Sequence, residues 1–264
     1  MWKRHYLCQM KPLILVSNDD GYQAKGIQTL VEVLRPLARL VVVAPDTGRS
    51  GMACACTFNV PVYKWLVSSD DDVSVWGCSG TPVDCVKLAF ADVLTEQPAM
   101  VIGGINHGDN SAVNAHYSGT MGVVYEGCMK GIPSVAFSLD SHDAFADFEP
   151  LVPWIRRITS HVLENGLPKG TCLNVNFPAL PTYKGLRVCC MAWGEWKNEF
   201  ERRNHPRGGD YYWLTGHFEL NDSTDGYADR IALNEGYVAV TPFKLDATDY
   251  ALKAELEKVF SAHE

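Results

Sequence analysis

The sequence predicts an α/β fold in which a mainly parallel sheet is covered on both faces by helices. Three observations predict it. Short aliphatic runs recur with polar turns at their carboxyl ends, segments with helical spacing lie between them, and Pro or Gly marks most of the joints. The chain has 264 residues and is 47% hydrophobic, enough for one large domain or one domain with an appendage.

Leu13-Ile14-Leu15-Val16 reads as a strand buried on both faces, ending in the polar turn Ser17-Asn18-Asp19-Asp20-Gly21. Ile27, Leu30, Val31, Leu34 and Leu37 follow at helical spacing, with Pro36 near the helix end. Leu40-Val41-Val42-Val43-Ala44 is a second buried strand, closed by Pro45, and such a strand–helix–strand unit takes a right-handed crossover. Thr81-Pro82-Val83-Asp84 reads as a helix start, with Thr as N-cap, Pro at the first position and a carboxylate at the third; the helix is expected to run to about Glu96. Met100-Val101-Ile102 is the next strand, leading into Gly103-Gly104-Ile105-Asn106. Ser118-Gly119-Thr120 opens a helix through Met129, and Ser134-Val135-Ala136-Phe137 is a further strand.

Past about residue 150 the rhythm changes. Trp154 to Leu163 is expected to be helical and Leu173 to Phe177 a strand. Residues 193–235 are rich in aromatics, charges and Gly without a helical period, as in a long hairpin or loop arm around Tyr211-Tyr212-Trp213-Leu214. Those aromatics fit either ordinary core filling or an oligomer contact. Gly236 to Pro242 gives a last strand and residues 247–261 a terminal helix, while residues 1–9 are expected to stand outside the fold.

Composition narrows the function. No apolar run approaches the roughly 18–20 residues that span a bilayer, and the first ten residues lack the apolar stretch of a secretory signal. The nine cysteines show no repeated spacing, so reduced, mostly buried thiols in the cytoplasm are expected; Cys54-x-Cys56 stands alone and makes no zinc site. The formal net charge of −8 and the lack of a basic face argue against a nucleic-acid polymer as ligand. A small anionic substrate in a pocket, its charge met locally, fits better.

Ligands of an open parallel sheet bind beyond the carboxyl ends of the strands. Asn18, Asp19 and Asp20 follow the first strand, Asp46 to Gly51 (including Ser50) the second, and Gly103, Gly104 and Asn106 the central one. Carboxylates beside Asn and Ser oxygens suit a hard cation such as Mg²⁺ or Mn²⁺, which would also relieve the repulsion between Asp19 and Asp20. An acidic turn capping the next helix would look the same. Ser118-Gly119-Thr120 offers N–H groups and hydroxyls to an anion, though an N-cap serine alone gives that pattern. His107 and His116 lie nearest the rim in sequence, where a structural histidine fits as well as a base. Gly21 to Gly26 begins like a phosphate loop, but Ile27-Gln28 replaces its Lys-Ser/Thr. There is no G-x-G-x-x-G after the first strand, no G-x-S-x-G elbow, and no second Asp two places after Asp19 for aspartyl-nucleophile chemistry.

An ordered series of motifs resembles the SurE family. It comprises Leu15-Val16-Ser17-Asn18-Asp19-Asp20-Gly21, Ala44-Pro45 with Arg49-Ser50-Gly51, Gly80-Thr81-Pro82-Val83-Asp84-Cys85-Val86, Gly104-Ile105-Asn106 and Tyr117-Ser118-Gly119-Thr120 through Glu126-Gly127. Leu173 to Pro178, Pro206-Arg207-Gly208 with Tyr211-Tyr212-Trp213, and Gly236 to Pro242 extend it, so that it spans roughly residues 12–250. The resemblance implies a Rossmann-like three-layer core, expected over residues 11–185. Residues 186–264 would then be a β-rich arm, final strand and terminal helix for oligomerisation. It implies a cytoplasmic, metal-dependent 5′-nucleotidase, often acting on 3′-nucleotides and sometimes on polyphosphate, assembled as a homodimer or homotetramer. The implied metal ligands are Asp19, Asp20, Ser50 and Asn106, holding one Mg²⁺ or Mn²⁺ per subunit; Asn18, Ser118, Gly119 and Thr120 fall in the phosphate-contacting region. Two departures stand out. Met52-Ala53-Cys54-Ala55-Cys56 replaces a more polar stretch, and Asp246 to Tyr250 lacks the histidine that assists catalysis in some members, which leaves the general acid unassigned. Competing classes are a nucleotide-binding regulator without catalysis and a purely structural oligomer.

Overall fold

In the computed structural model, residues 11–221 and 226–261 are described; the expected extension over residues 1–9 lies outside them. The first aliphatic run forms β1 (Leu13–Ser17), buried at every position. α1 (Lys25–Leu34) packs Ile27, Leu30, Val33 and Leu34 inward; Arg35 still has helical angles, and the ladder stops at Pro36, which has no N–H to continue it. β2 (Arg39–Pro45) runs parallel to β1, with Ile14 opposite Leu40.

β3 (Lys64–Ser69) and β4 (Val73–Cys78) have no counterpart in the sequence expectations; they pair antiparallel, and β4 lies parallel to β2. α2 (Pro82–Leu88) starts with the expected capping box: Asp84 N donates to Thr81 Oγ1 at 3.1 Å and Thr81 N donates to Asp84 Oδ2 at 2.9 Å. It ends sooner than Glu96. From Ala89 to Val93 the turns widen, and Leu94 N reaches back five residues to Ala89 O at 2.9 Å.

β5 (Met100–His107) pairs with the other edge of β1. α3 (Gly119–Met129) is capped by Ser118, whose hydroxyl accepts from Met121 N at 3.0 Å. β6 (Ser134–Asp140), α4 (Val152–Asn165) and β7 (Thr171–Pro178) complete the parallel part of the sheet. β8 (Leu186–Val188) precedes the arm, in which β9 (Gly194–Lys197) pairs with β12 (His217–Leu220) and β10 (Phe200–Asn204) with β11 (Asp210–Leu214). The two pairs are nested, so residues 194–220 form one long interrupted hairpin. Tyr212, Trp213 and Leu214 are exposed on it, which removes core filling within this chain as their explanation. The segment 193–235 is not wholly without helix: α5 (Asp229–Asn234) is one, too short at six residues to show a period. β13 (Val238–Lys244) and α6 (Tyr250–Phe260) close the chain.

The nine-stranded sheet has the order β3-β4-β2-β1-β5-β6-β7-β13-β8, so two strands beyond residue 185 belong to it. Alternation sorts β1 between two layers. Ile14 and Val16 pack with Ile27, Leu30, Ile155 and Ile158 on the α1/α4 side, while Leu15 packs with Cys85, Val86 and Val123 on the α2/α3 side. Strand order reverses at β1, with β2 on one flank and β5 on the other, which opens a crevice at their carboxyl ends. The eight described cysteines are all free, five of them buried.

Thr81 joins the capping box and also donates to Ala55 O at 2.7 Å. Thr81→Ala is expected to lower stability by about 1–2 kcal/mol. An unchanged urea midpoint would remove the box as a determinant.

Candidate active site

β1 delivers its polar turn into the crevice. Asn18 shapes it, accepting from Gly21 N at 3.2 Å and donating to Gly21 O at 3.0 Å. Gly21 sits at φ +102°, a conformation that disfavours any side chain. This turn swings Asp19 and Asp20 out of strand alternation.

Asp19 is buried against the first turn of α3. Its Oδ1 accepts from Thr120 Oγ1 at 2.5 Å. A Cβ at Gly119 would lie 2.7 Å from Asp19 Cβ and 2.9 Å from Oδ2, so only glycine fits there. Burial pushes the Asp19 carboxyl up to about 6, with the neighbouring Asp20 charge adding to the rise, against the Thr120 hydrogen bond and the amides of Asp19 and Gly119. Asp20 reaches the other flank, where its Oδ2 accepts from His107 N at 3.1 Å. Burial raises its carboxyl too, opposed by that amide and by the charge of His142.

The other two expected metal ligands come from the adjoining strand ends. Arg49 N donates to Asp19 O at 2.6 Å, which hangs the exposed Ser50 beside the turn. Asn106 is buried and gives its Nδ2 to Gly108 O at 2.8 Å, leaving the amide oxygen as its remaining polar atom. Asp19, Ser50, Asn106 and Ser118 line a single cleft of about 640 Å³. Asp20 is not on that lining; it stands behind it, tied to β5. Asn18 and Thr120 are fully buried and shape the turn and Asp19 respectively, and Gly119 forms the seat under Asp19.

His107 borders the cleft and sets its ring edge-on to the core residue Phe148, 5.1 Å between centroids. Burial lowers its pKa. His116 is exposed at the end of a 3₁₀ turn and lies off the cleft.

The sequence did not single out several walls of this cleft. Asp109, Asn110 and His142 come from loops after β5 and β6, positions the strand-end rule covers but which carry no family motif. The loop after β5 is pinned by buried amides: Asn110 N donates to Asn176 Oδ1 at 2.7 Å, Asn110 Nδ2 to Ser138 Oγ at 2.8 Å, and Asn174 Nδ2 to Asn110 O at 2.7 Å. The outer wall comes from the base of the arm, with Trp196, Glu199, Leu214, Thr215 and Gly216. Trp196 Nε1 holds it by donating to Asn114 Oδ1 at 2.8 Å. No local signal reveals that contact.

The donor set fits a divalent cation. A buried and a half-buried carboxylate side by side, both pushed toward protonation, are an unfavourable arrangement without a positive charge. Among the described residues no three His, Cys, Asp or Glu side chains form a metal cage, so neutral oxygens such as those of Asn106 and Ser50 must complete any set around the Asp pair. All-oxygen donors suit Mg²⁺ or Mn²⁺.

Fold and site define an open α/β protein whose oxygen-lined cleft lies at the switch point of its sheet, beside a helix N-terminus. A family model described as Survival protein SurE matches residues 14–198. The chain belongs to the SurE family. It is 54% identical to a 5′-nucleotidase SurE of Phocaeicola vulgatus, with 94% of this chain and 96% of that protein aligned. It is also 54% identical to a 5′-nucleotidase SurE of Bacteroides thetaiotaomicron, over 93% and 95% of the two chains. The crystal structure of the SurE protein from Aquifex aeolicus superposes with a TM-score of 0.80 at 36% identity, covering 94% of this chain and 99% of that one.

Asp19 carries a stability cost with a definite sign. Its folded value of about 6 lies above the ordinary 3.8, so protonation favours the folded state; that contribution is fully present below pH 3.8 and is lost as pH rises through 6. In chelator-treated protein at pH 8, Asp19→Asn is therefore expected to raise stability by up to about 3 kcal/mol, while weakening Mn²⁺ binding at least tenfold. Urea melts and calorimetric titration check the two halves. A variant that binds Mn²⁺ normally removes Asp19 from the donor set.

Proposed function

We propose that this chain is a metal-dependent 5′-nucleotidase that hydrolyses nucleoside 5′-monophosphates to nucleoside and inorganic phosphate. The observation that carries the reading is the convergence of Asp19, Ser50, Asn106 and Ser118, from four separate segments, on one cleft at the ends of β1 and β5. The names of the relatives at 54% identity support the same activity.

Asp19, Asp20, Ser50 and Asn106 would hold one divalent cation, Mg²⁺ or Mn²⁺, per subunit. When bound, that ion supplies Lewis acidity toward phosphoryl oxygens and toward an attacking water. Everything else falls to the chain. Thr120 and Gly119 fix the Asp19 carboxylate, and His107 N fixes Asp20, so that neither has to reorganise when substrate arrives. Ser118, Gly119 and Thr120 open α3 at the cleft, where the helix dipole favours phosphoryl oxygens, while the Gly119 N–H already serves the Asp19 carboxylate. Asn18 keeps the turn in register for both tasks. Positioning and charge stabilisation then supply most of the rate, with no covalent enzyme intermediate.

3′-Nucleotides and short polyphosphate are the further substrates in this reading, and the cytoplasm its compartment. Assembly as a homodimer or homotetramer is supported by two exposed apolar surfaces. One is the arm, with Tyr212, Trp213 and Leu214; the other is α6, on which no residue is buried although Leu252, Leu256, Val259 and Phe260 lie along it.

Phosphate release from a panel of nucleotides tests the reading. Chelator-stripped protein is expected to be inactive, and Mg²⁺ or Mn²⁺ to restore hydrolysis of 5′-monophosphates. Tight nucleotide binding without phosphate release, with either ion present, would make the protein a nucleotide-binding regulator instead.

A further inference from the structure

Hydrolysis of a nucleoside monophosphate expels an alkoxide, a poor leaving group unless a proton reaches its oxygen as the ester bond breaks. The donor has no counterpart in the terminal segment, since Asp246 to Tyr250 contains no histidine. A group on the cleft wall must then carry this proton.

Most candidates fail on geometry. His107 also borders the cleft, but its ring is packed edge-on against Phe148 with Nε2 buried. Asp109 pairs with Arg230 at 3.2 Å and also accepts from Ser111, so its oxygens are already engaged by neighbours. Glu199 belongs to the outer wall, on the arm. His142 is different. It lies two residues past the end of β6, the strand next to β5, and its exposed ring lines the same cleft as Asp19, Ser50 and Asn106.

The backbone places that ring. Gly108 N donates to Leu139 O at 2.9 Å, and Ser141 N donates to the same carbonyl at 2.7 Å. The loops after β5 and β6 are thus hung from one acceptor. This brings the imidazole over the Cα of Gly108, where a Cβ would come within 2.7 Å of His142 Cε1. Among the described residues no hydrogen bond engages either ring nitrogen, so a ring N–H is available to a ligand. Imidazole is also the side chain best matched to proton transfer near neutrality.

We propose that His142 is a catalytic residue, the proton donor to the departing nucleoside oxygen. The proposal rests on the phosphomonoesterase reading above. Water forms its bond to phosphorus as the ester P–O bond breaks, and that bonding pair goes to the nucleoside oxygen. An imidazolium N–H of His142 gives its proton to this oxygen, so the nucleoside leaves as a neutral alcohol. The proton shed by the attacking water returns through solvent to the imidazole, which restores the starting state.

Leaving-group dependence tests this directly. p-Nitrophenyl phosphate expels a stable phenolate that needs no proton, whereas 5′-AMP expels an alkoxide. His142→Gln, assayed with saturating Mn²⁺, is expected to lose about 100-fold or more in kcat on 5′-AMP and less than about tenfold on p-nitrophenyl phosphate. Mn²⁺ affinity, measured by calorimetry, is expected to stay within twofold of wild type, and His142→Asn to show the same pattern. Equal losses on both substrates, or none on 5′-AMP, would overturn the role of His142 while leaving the nucleotidase reading intact. Wild-type protein that releases phosphate from neither substrate would overturn both.

Discussion

The site depends on one buried carboxylate. Asp19 is held from two sides, by the Thr120 hydroxyl and by a glycine seat at the start of α3, in a place where its charge is poorly solvated. Such an anion is tolerated when a cation answers it and is costly otherwise. The fold therefore stores an electrostatic demand at the spot where the proposed chemistry would need positive charge. Asp20 raises that demand, and its bond to the His107 amide carries the constraint from β1 to β5. Through Arg49 N the same turn also sets the position of Ser50.

How far this could be seen in the residues alone followed from how local each cause is. Thr81-Pro82-Val83-Asp84 announced its capping box because all partners lie within one turn. Asp19, Ser50 and Asn106 were visible because buried parallel strands read as aliphatic runs, and whatever follows them must lie on one rim. β3 escaped because nearly all of it is exposed and its pairing shifts register between Leu66 and Ser68, so no inward–outward alternation survives. α5 escaped because its place is set by long-range bonds: Asp229 accepts from Ala112 N and Ala192 N, each at 3.0 Å. His142 was equally hidden. Its approach to Gly108 depends on the shared Leu139 carbonyl, a fact of strand register and not of spacing.

The same Asp229 explains how the arm comes to line the cleft. It links the loop after β5 to the chain just before β9, while its neighbour Arg230 pairs with Asp109 and with Asp140 at 3.0 Å. Trp196 adds the bond to Asn114. The base of the arm is thus fastened to the site loops, while Tyr212 and Trp213 on β11 are left exposed. A segment offering apolar surface on one strand and a cleft wall at its base joins any contact made on that surface to the shape of the pocket.

The overall charge makes the order of events physical. The chain carries a formal charge of −8, and its phosphate-sized target would approach a cleft lined by Asp19 with Asp20 behind it. Without a cation, a phosphoryl dianion meets like charge at short range, and the dipole at the start of α3 is too weak to outweigh two nearby anions. With the carboxylate charge answered, as the proposed function requires, the same cleft would turn attractive, and the dipole at the start of α3 would add to the attraction. Under the proposed function, cation would therefore bind before substrate. It also accounts for why an acidic protein can bind an anion in a pocket without a basic face.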